Sequence, residues 1–518
     1  MECSYAPYNW SQTDSSNGAV KISNGTEYAN GYDVKIAKRI SELAGLDLEI
    51  VKTEWGGLAP GVASGKLDAA VAGMSATADR KKTVDFTDNY YKANIFGLVR
   101  KDSRYENAKS IADLRGVSCT SQQSTVWYDL LKQIPDAEIQ PALADASTMI
   151  VSLRSGKCDL LLCDKPTALA AVYANPGLVM VDFSADPDLK VPEEETNIGI
   201  AVKKGNTSLR TTLNQALAQI SGEEREKIMD EAIRQQPVAG KAPSNEGSDS
   251  KNFGYWVKAL LKKYGPLFWH GAGITLALAL VGTLLGCVIG LLVGVLRTIP
   301  RPRKKSSLIL KILYGLLQFI LAAYIEIFRG TPMMVQAMVL YYGSMSVLHI
   351  DMSPMFAGFF VVSINTGAYM AESVRGGIES IDPGQTEAAE ALGMTHWQTM
   401  ASVILPQTFR NILPQIGNNL VINIKDTSVL NVISVTELYF EAKSAAGGTY
   451  RYFEAFFIIS VIYFIMTFVC SRLLRWMERR IDGSSTYSLV DLDAMADPTG
   501  LNPQKRKHRN GGMHGWGK

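Results

Sequence analysis

Three ionisable residues of this 518-residue chain, Glu372, Lys425 and Asp426, lie in or beside long apolar runs. Ionisable groups at membrane depth usually face a bundle interior or a water-filled cavity. They therefore read either as lining for the path of a polar solute or as structural pairs. A second group lies in the polar segment 375–414, between two apolar runs: Glu387-Ala388-Ala389, then Gly393, then Ile404-Leu405-Pro406. This reads as a helical hairpin, with Gly393 supplying a left-handed turn and Pro406 ending the second helix. Taken alone, Arg80 in Asp79-Arg-Lys-Lys82 is one of several surface charges, and Asp164 before Lys165-Pro166 is a helix N-cap. The Gly-Lys pairs at 65–66, 156–157 and 240–241 lack a following Ser or Thr, so no phosphate cradle is present. With no nucleophile motif and no metal cluster either, the chain reads as non-catalytic, needing neither cofactor nor metal.

The elements that must position these groups divide the chain in two. Net charge is +2 and mean hydropathy +0.04, but the averages hide a split. Residues 1–250 alternate short apolar runs with amphipathic stretches, an α/β pattern. Asp33–Ala44 carries Val34, Ile36, Ala37, Ile40 and Leu43 on one helical face. Leu48–Val51, Asp68–Ala72 and Asp159–Cys163 read as strands. Crossings near Ile95–Val99 and Asn197–Val202 divide this part into lobe one (1–98 and 197–237) and lobe two (99–196). Residues 238–264 read as linker and lead-in, 265–480 as a membrane domain and 481–518 as a disordered tail.

Long uncharged runs at Gly271–Leu296, Gly330–Ile350, Met352–Ala371 and Ala455–Ser471, with the nearly apolar Asn411–Val435, make an all-α domain of five spans. Leu308–Phe328, which carries Lys311, Gln318 and Glu326, reads as an interfacial lead-in to one crossing with 330–350. Arg297, Arg301, Arg303, Lys304 and Lys305, and later Arg472, Arg475, Arg479 and Arg480, mark cytoplasmic sides. Residues 1–250 then lie outside, and 375–410 and the C-terminus inside. None of the six cysteines forms a CxxC pair; Cys287 and Cys470 read as packing residues, and a disulfide among the other four stays open.

The hairpin resembles the EAA loop of bacterial ABC-importer permeases. Arg329-Gly-Thr-Pro332, Asn365-Thr-Gly-Ala-Tyr369 with Glu372, and Lys425-Asp-Thr-Ser428 resemble the polar amino-acid branch of that family over residues 265–480. The resemblance implies that Glu387, Ala388, Ala389, Gly393, Leu405 and Pro406 couple to an ATPase on a separate chain, which uses the ATP. One permease domain supplies half a pathway, so a homodimer in the lipid bilayer is expected, with no nucleic-acid partner.

Residues 1–237 resemble the bilobed amino-acid-binding receptors of the periplasmic type. The resemblance rests on Tyr5-Ala-Pro-Tyr8, Gly31-Tyr-Asp33, Glu54-Trp55 with Leu58 and Pro60, Gly73-Met-Ser-Ala-Thr77, Arg80, and Val84-Asp-Phe-Thr87 with Tyr90-Tyr91. It implies that Arg80 grips the ligand α-carboxylate, Ser75 and Thr125 assist from each lobe, and Asp164 takes the α-ammonium. Trp55 and Tyr5 would wall the ligand side chain. Glu2 would stand near that side chain, where an acid suits lysine or arginine. The family's opening strand and an export signal are absent before Met1, so the natural start is expected upstream. The function implied is import of polar, basic-leaning L-amino acids. A ligand-gated channel or transmembrane receptor built on the same bilobed domain is the rival class.

Overall fold

The computed structural model describes residues 1–123, 125–143, 146–175, 177–191, 196–236, 253–302, 306–449 and 451–481. The linker 238–252, the basic residues Arg303, Lys304 and Lys305, and the tail beyond Ile481 lie outside them.

Four short antiparallel strands open the chain: β1 (Ser4–Tyr5), β2 (Asn9–Gln12), β3 (Val20–Lys21) and β4 (Tyr28–Asn30), in the order β1-β2-β4-β3. Helix α1 (Tyr32–Ala44) follows, buries Val34, Ile36, Ala37 and Ile40 as its periodicity requires, and ends at Gly45 in the left-handed region. Leu48–Val51 is not a paired strand: it makes one bridge, from Ile50 to Ile22. It borders instead a cavity of about 830 Å³ that also touches Val71, Ile200, Tyr341 and Ser434.

Then come α2 (Trp55–Ser64), β5 (Ala69–Ala70), α3 (Ala78–Lys81), β6 (Val84–Lys92) and β7 (Ile95–Arg100). Next are β8 (Ser118–Thr120), α4 (Val126–Leu130), β9 (Glu138–Ile139), α5 (Ala146–Arg154), β10 (Leu160–Asp164), α6 (Lys165–Ala174) and β11 (Leu178–Asp182). The domain closes with β12 (Asn197–Lys203), α7 (Thr207–Leu217) and α8 (Gly222–Gln235). One sheet runs β5-β12-β6, the other β11-β7-β10-β8-β9. The chain leaves the first sheet after β6 and returns to it at β12, so the two expected crossings fall between two separate sheets. Strand β10 buries all five of its residues, as a short apolar run between covered faces must.

The membrane part is helical: α9 (Phe253–Arg297), α10 (Leu308–Gly330), α11 (Met333–Leu348), α12 (Pro354–Glu379), α13 (Pro383–Ala391), α14 (His396–Thr399), α15 (Leu405–Asp426), α16 (Leu438–Thr449) and α17 (Tyr452–Ile481). Residues 253–264, read as linker lead-in, are the first turns of α9. Among the described residues, four helices are long and apolar enough to cross a membrane: α9, α10, α12 and α17. Helix α10 was expected to be only a lead-in to 330–350, but it is itself of spanning length, and the shorter α11 is separate. The break has a local cause. Pro332 cannot donate a helical N–H, and the Gln336 amide donates to the Phe328 and Thr331 carbonyls, both at 2.9 Å, satisfying the exposed end of α10.

Helices α9 and α12 meet along a glycine ridge, Gly282, Gly286, Gly290 and Gly294, one every fourth residue and so on one helix face. A Cβ on Gly286 would lie 2.6 Å from Thr366 Cβ, and one on Gly294 2.7 Å from a Val374 methyl. Gly286→Leu is therefore expected to separate the helices. Overpacking of this kind costs roughly 1–3 kcal/mol or more. Thermal unfolding of the purified chain should show a lowered midpoint, whereas Gly273→Leu, whose Cβ would meet open space, should not.

Candidate functional site: an interlobe cleft and a helical hairpin

The two lobes meet where Tyr5 of β1 and Tyr8 just after it reach Asp164 at the end of β10 and Thr167 of α6. Asp164 ends β10 and caps α6: its Oδ1 accepts from Thr167 N at 2.8 Å, so the N-cap reading holds. Its other oxygen, Oδ2, accepts from the Tyr5 hydroxyl at 3.2 Å and the Tyr8 hydroxyl at 3.1 Å, both reaching from lobe one. Thr167 Oγ1 donates to the Tyr5 hydroxyl at 2.9 Å. Asp164 is 1% exposed. Burial raises its carboxyl above the ordinary value, and the hydrogen bonds from Thr167, Tyr8 and Tyr5 oppose that rise.

The Tyr5 and Tyr8 rings stack, 5.1 Å between centroids, and press on Gly73, where a Cβ would lie 3.2 Å from Tyr5 and 3.3 Å from Tyr8. Gly73 takes φ 60°, which a side chain rarely adopts, and its N–H is met by the Tyr90 hydroxyl acting as acceptor at 3.0 Å. Two residues on, the Ser75 carbonyl accepts from Arg80 Nη1 at 2.9 Å, and the Arg80 guanidinium stands over the Trp55 ring at 5.2 Å. Burial lowers Arg80 from its usual value to about 10. Arg80, Ser75 and Trp55 thus form one cluster, and Tyr5 with Asp164 a second, with Gly73 between them.

Two further expected site residues make local bonds. The Thr125 hydroxyl donates to the Gln122 carbonyl at 2.7 Å, ahead of α4. Glu2 is buried and accepts from Ser4 Oγ at 2.9 Å. Tyr8 is the residue sequence reasoning missed: it was noted only as part of a motif, although a buried tyrosine needs a hydroxyl partner. All six cysteines are free, so none of the front four pairs.

Behind the cleft, Asp33 is fully buried and held by the Tyr90 hydroxyl at 2.7 Å and the Asn9 amide at 2.7 Å. Burial raises its carboxyl to about 6, against the pull of those two bonds.

In the membrane part, Gly393 adopts φ 79°, the left-handed turn its sequence position implied, and joins α13 to α14. Pro406 does not end the second helix. It stands in the first turn of α15, and a five-residue π-helical turn at Met400–Ile404 carries α14 straight into it. Proline is tolerated there because the π turn just before it, in which the Leu405 N–H reaches back five residues to the Met400 carbonyl, shifts the helical hydrogen-bond register ahead of residue 406. Around the turn, Glu387 and Ala388 are exposed and Ala389 is buried. Leu392 is 83% and Trp397 64% exposed, large apolar side chains that composition alone did not single out. Leu405 is half-buried at the start of α15.

Of the three ions expected at membrane depth, Glu372 pairs along its own helix with Arg375 at 2.8 Å, and Arg375 also binds Glu379 at 2.7 Å. Lys425 and Asp426 end α15 on its exposed side. A buried polar centre among the helices is Asn423, whose amide donates to Thr283 Oγ1 at 2.8 Å and Thr366 Oγ1 at 3.0 Å, tying α15 to α9 and α12. An asparagine inside an apolar run was its visible signal.

Comparison with known proteins finds two families along the chain. Residues 12–234 match the bacterial extracellular solute-binding proteins of family 3, and 306–483 match the binding-protein-dependent transport system inner membrane component family. The arginine transport system permease protein ArtQ of Bacillus subtilis is 32% identical over 158 residues, 30% of this chain and 72% of the relative. The glutamine transport system permease protein GlnP of Escherichia coli K12 is 38% identical over 159 residues, again 30% of this chain and 73% of the relative. Among solved structures, an amino acid ABC transporter crystallised with histidines is 37% identical, covers 45% of this chain and 99% of that one, and has a TM-score of 0.38. The chain therefore belongs to the binding-protein-dependent transport system inner membrane components, a transport protein rather than an enzyme, and carries a solute-binding domain ahead of its permease.

Proposed function

We propose that the chain captures a polar, basic-leaning L-amino acid in the interlobe cleft and passes it through its own permease domain into the cell, driven by an ATPase on a separate chain. The observation that carries this reading is the convergence of both lobes on Asp164, with Arg80 and Trp55 on the wall beyond Gly73. An acid and a planar guanidinium suit the two charges of an amino-acid zwitterion. Ser75 and Thr125 assist on this reading, Tyr5 and Trp55 wall the side chain, and Glu2 biases the site toward cations.

The boundaries that fit are a binding domain of 1–237, with lobe one as 1–98 and 197–237 and lobe two as 99–196, and a permease of about 265–480. Helix α15 supplies the fifth crossing beside the four long apolar helices. The binding domain then faces outward, and the hairpin and C-terminus face inward. The hairpin residues Glu387, Ala388, Ala389, Gly393, Leu405 and Pro406, with Leu392 and Trp397, form the face that meets the ATPase, since large exposed apolar side chains mark interaction sites. Two copies complete the pathway, and Glu372, Lys425 and Asp426 border it.

Vesicles holding the chain and its ATPase should take up labelled arginine, lysine or glutamine only when ATP is present on the hairpin side. Uptake or current at full rate without ATP would sink the reading.

A further inference from the structure

Where the binding domain rests on the permease, α16 carries most of the contact. Glu54, just ahead of α2, pairs with Lys443, and its N–H donates to Ser434 Oγ at 3.4 Å. Ser4 crosses Gly447 so closely that a Cβ there would strike the Ser4 carbonyl. Beside this crossing Lys52 is buried between Glu27 of its own domain and Glu441 of α16, the latter at 3.7 Å, under the Phe440 ring at 4.7 Å.

The charges in this joint do not balance. Two carboxylates face one ammonium, and none of the three side chains is more than 1% exposed. Among the described residues, no donor reaches either oxygen of Glu441, and only one oxygen of Glu27 receives a hydrogen bond. The surroundings supply no remedy. From the binding domain Glu2, Cys3 and the Met1 amino group stand near, the last engaged by the Val51 carbonyl at 3.1 Å, and from α9 Tyr264, whose buried hydroxyl has no hydrogen-bond partner among the described residues. At the start of α16 Glu437 is already satisfied by Tyr439 N, Phe440 N and the Tyr463 hydroxyl, each at 2.9 Å, and by Thr275 at 3.5 Å. Lys443 is engaged by Glu54. A buried carboxylate without a counter-charge neutralises itself by binding a proton, and two carboxyls at one site share one.

We propose that the contact between the binding domain and its own permease is held by one proton that Glu441 takes up when it is buried against the Glu27–Lys52 pair, so that separating the two releases that proton to solvent. On separation water reaches Glu441, which ionises with an ordinary value near ~4.3, and Lys52 keeps Glu27 as its partner. The sign follows from linkage. A carboxyl that binds its proton more tightly in the joined state favours joining at low pH, and that advantage fades as pH rises. Between the separated and joined values the joined-to-separated ratio falls by about tenfold per pH unit for one proton.

The test uses the full chain in nanodiscs, with dyes attached after Lys101→Cys and Leu348→Cys, both exposed positions on opposite sides of the joint. Energy transfer read from pH 5.5 to 8.5 should show the joined fraction falling with a one-proton slope. Glu441→Gln, which mimics the protonated group, should hold the low-pH fraction throughout, and Glu27→Gln serves as a second variant should the first assemble poorly. A pH-independent parent, a Glu441→Gln variant with the parental slope, or a joined fraction that follows sodium or potassium at fixed pH would each overturn the proposal. None of these readings requires the cleft to bind an amino acid.

Discussion

Arg80→Ala is expected to lose amino-acid binding by about 3 kcal/mol or more, two orders of magnitude in Kd, while the chain stays folded. The guanidinium is held over Trp55 and anchored on the Ser75 carbonyl, so its position is set before ligand arrives. Burial has already removed much of its hydration, which is why a ligand carboxylate gains strongly there and why truncation leaves that carboxylate without a partner. Calorimetric titration of the full chain in nanodiscs against arginine, lysine and glutamine would read the loss. Arg80→Lys should recover part of it, because an ammonium keeps the charge but not the two-pronged geometry. Parental affinity in the alanine variant, with an unchanged thermal midpoint, would remove the cleft assignment.

Gly393→Val is expected to reduce ATP-driven uptake at least tenfold with amino-acid affinity unchanged. The residue sits at φ 79° with open space around its Cα, so the obstacle is backbone conformation rather than crowding. A β-branched residue in the left-handed region costs roughly 1–2 kcal/mol. In so short a turn, the cheaper response is to re-angle α13 against α14, which moves Glu387, Leu392 and Trp397 together. Gly393→Asn, which tolerates that region better, should keep most of the uptake. Equal uptake by the valine variant would show that the hairpin does not transmit the ATPase's motion. The pair of measurements separates capture from coupling: the first variant fails at binding, the second only at transport.

Much of the architecture follows from local rules. The periodicity of Asp33–Ala44 makes a helix with one buried face whatever it packs against. Gly393 turns left-handed because no other residue type does so cheaply, and uncharged runs long enough to span a bilayer declare themselves by length. The misreadings also have local causes. Leu308–Phe328 seemed too charged to span, yet Gln318 donates to the Leu296 carbonyl at 2.9 Å, so one of those polar groups is satisfied against α9. Pro406 looked like a terminator, but proline stops a helix only where an N–H is needed, and the π turn before it removes that need.

The sequence by itself determined the two-part plan, the family and the hairpin, because these are written in short-range propensity and in the length and polarity of single segments. Only the tertiary structure decided that Tyr8 joins Tyr5 on Asp164, that the glycine ridge of α9 faces Thr366 and Val374, and that Glu27 and Lys52 meet Glu441 from the other end of the chain. Such meetings are set by how whole elements pack, and a residue's neighbours in sequence carry no record of which distant carboxylate, hydroxyl or methyl will be brought against it.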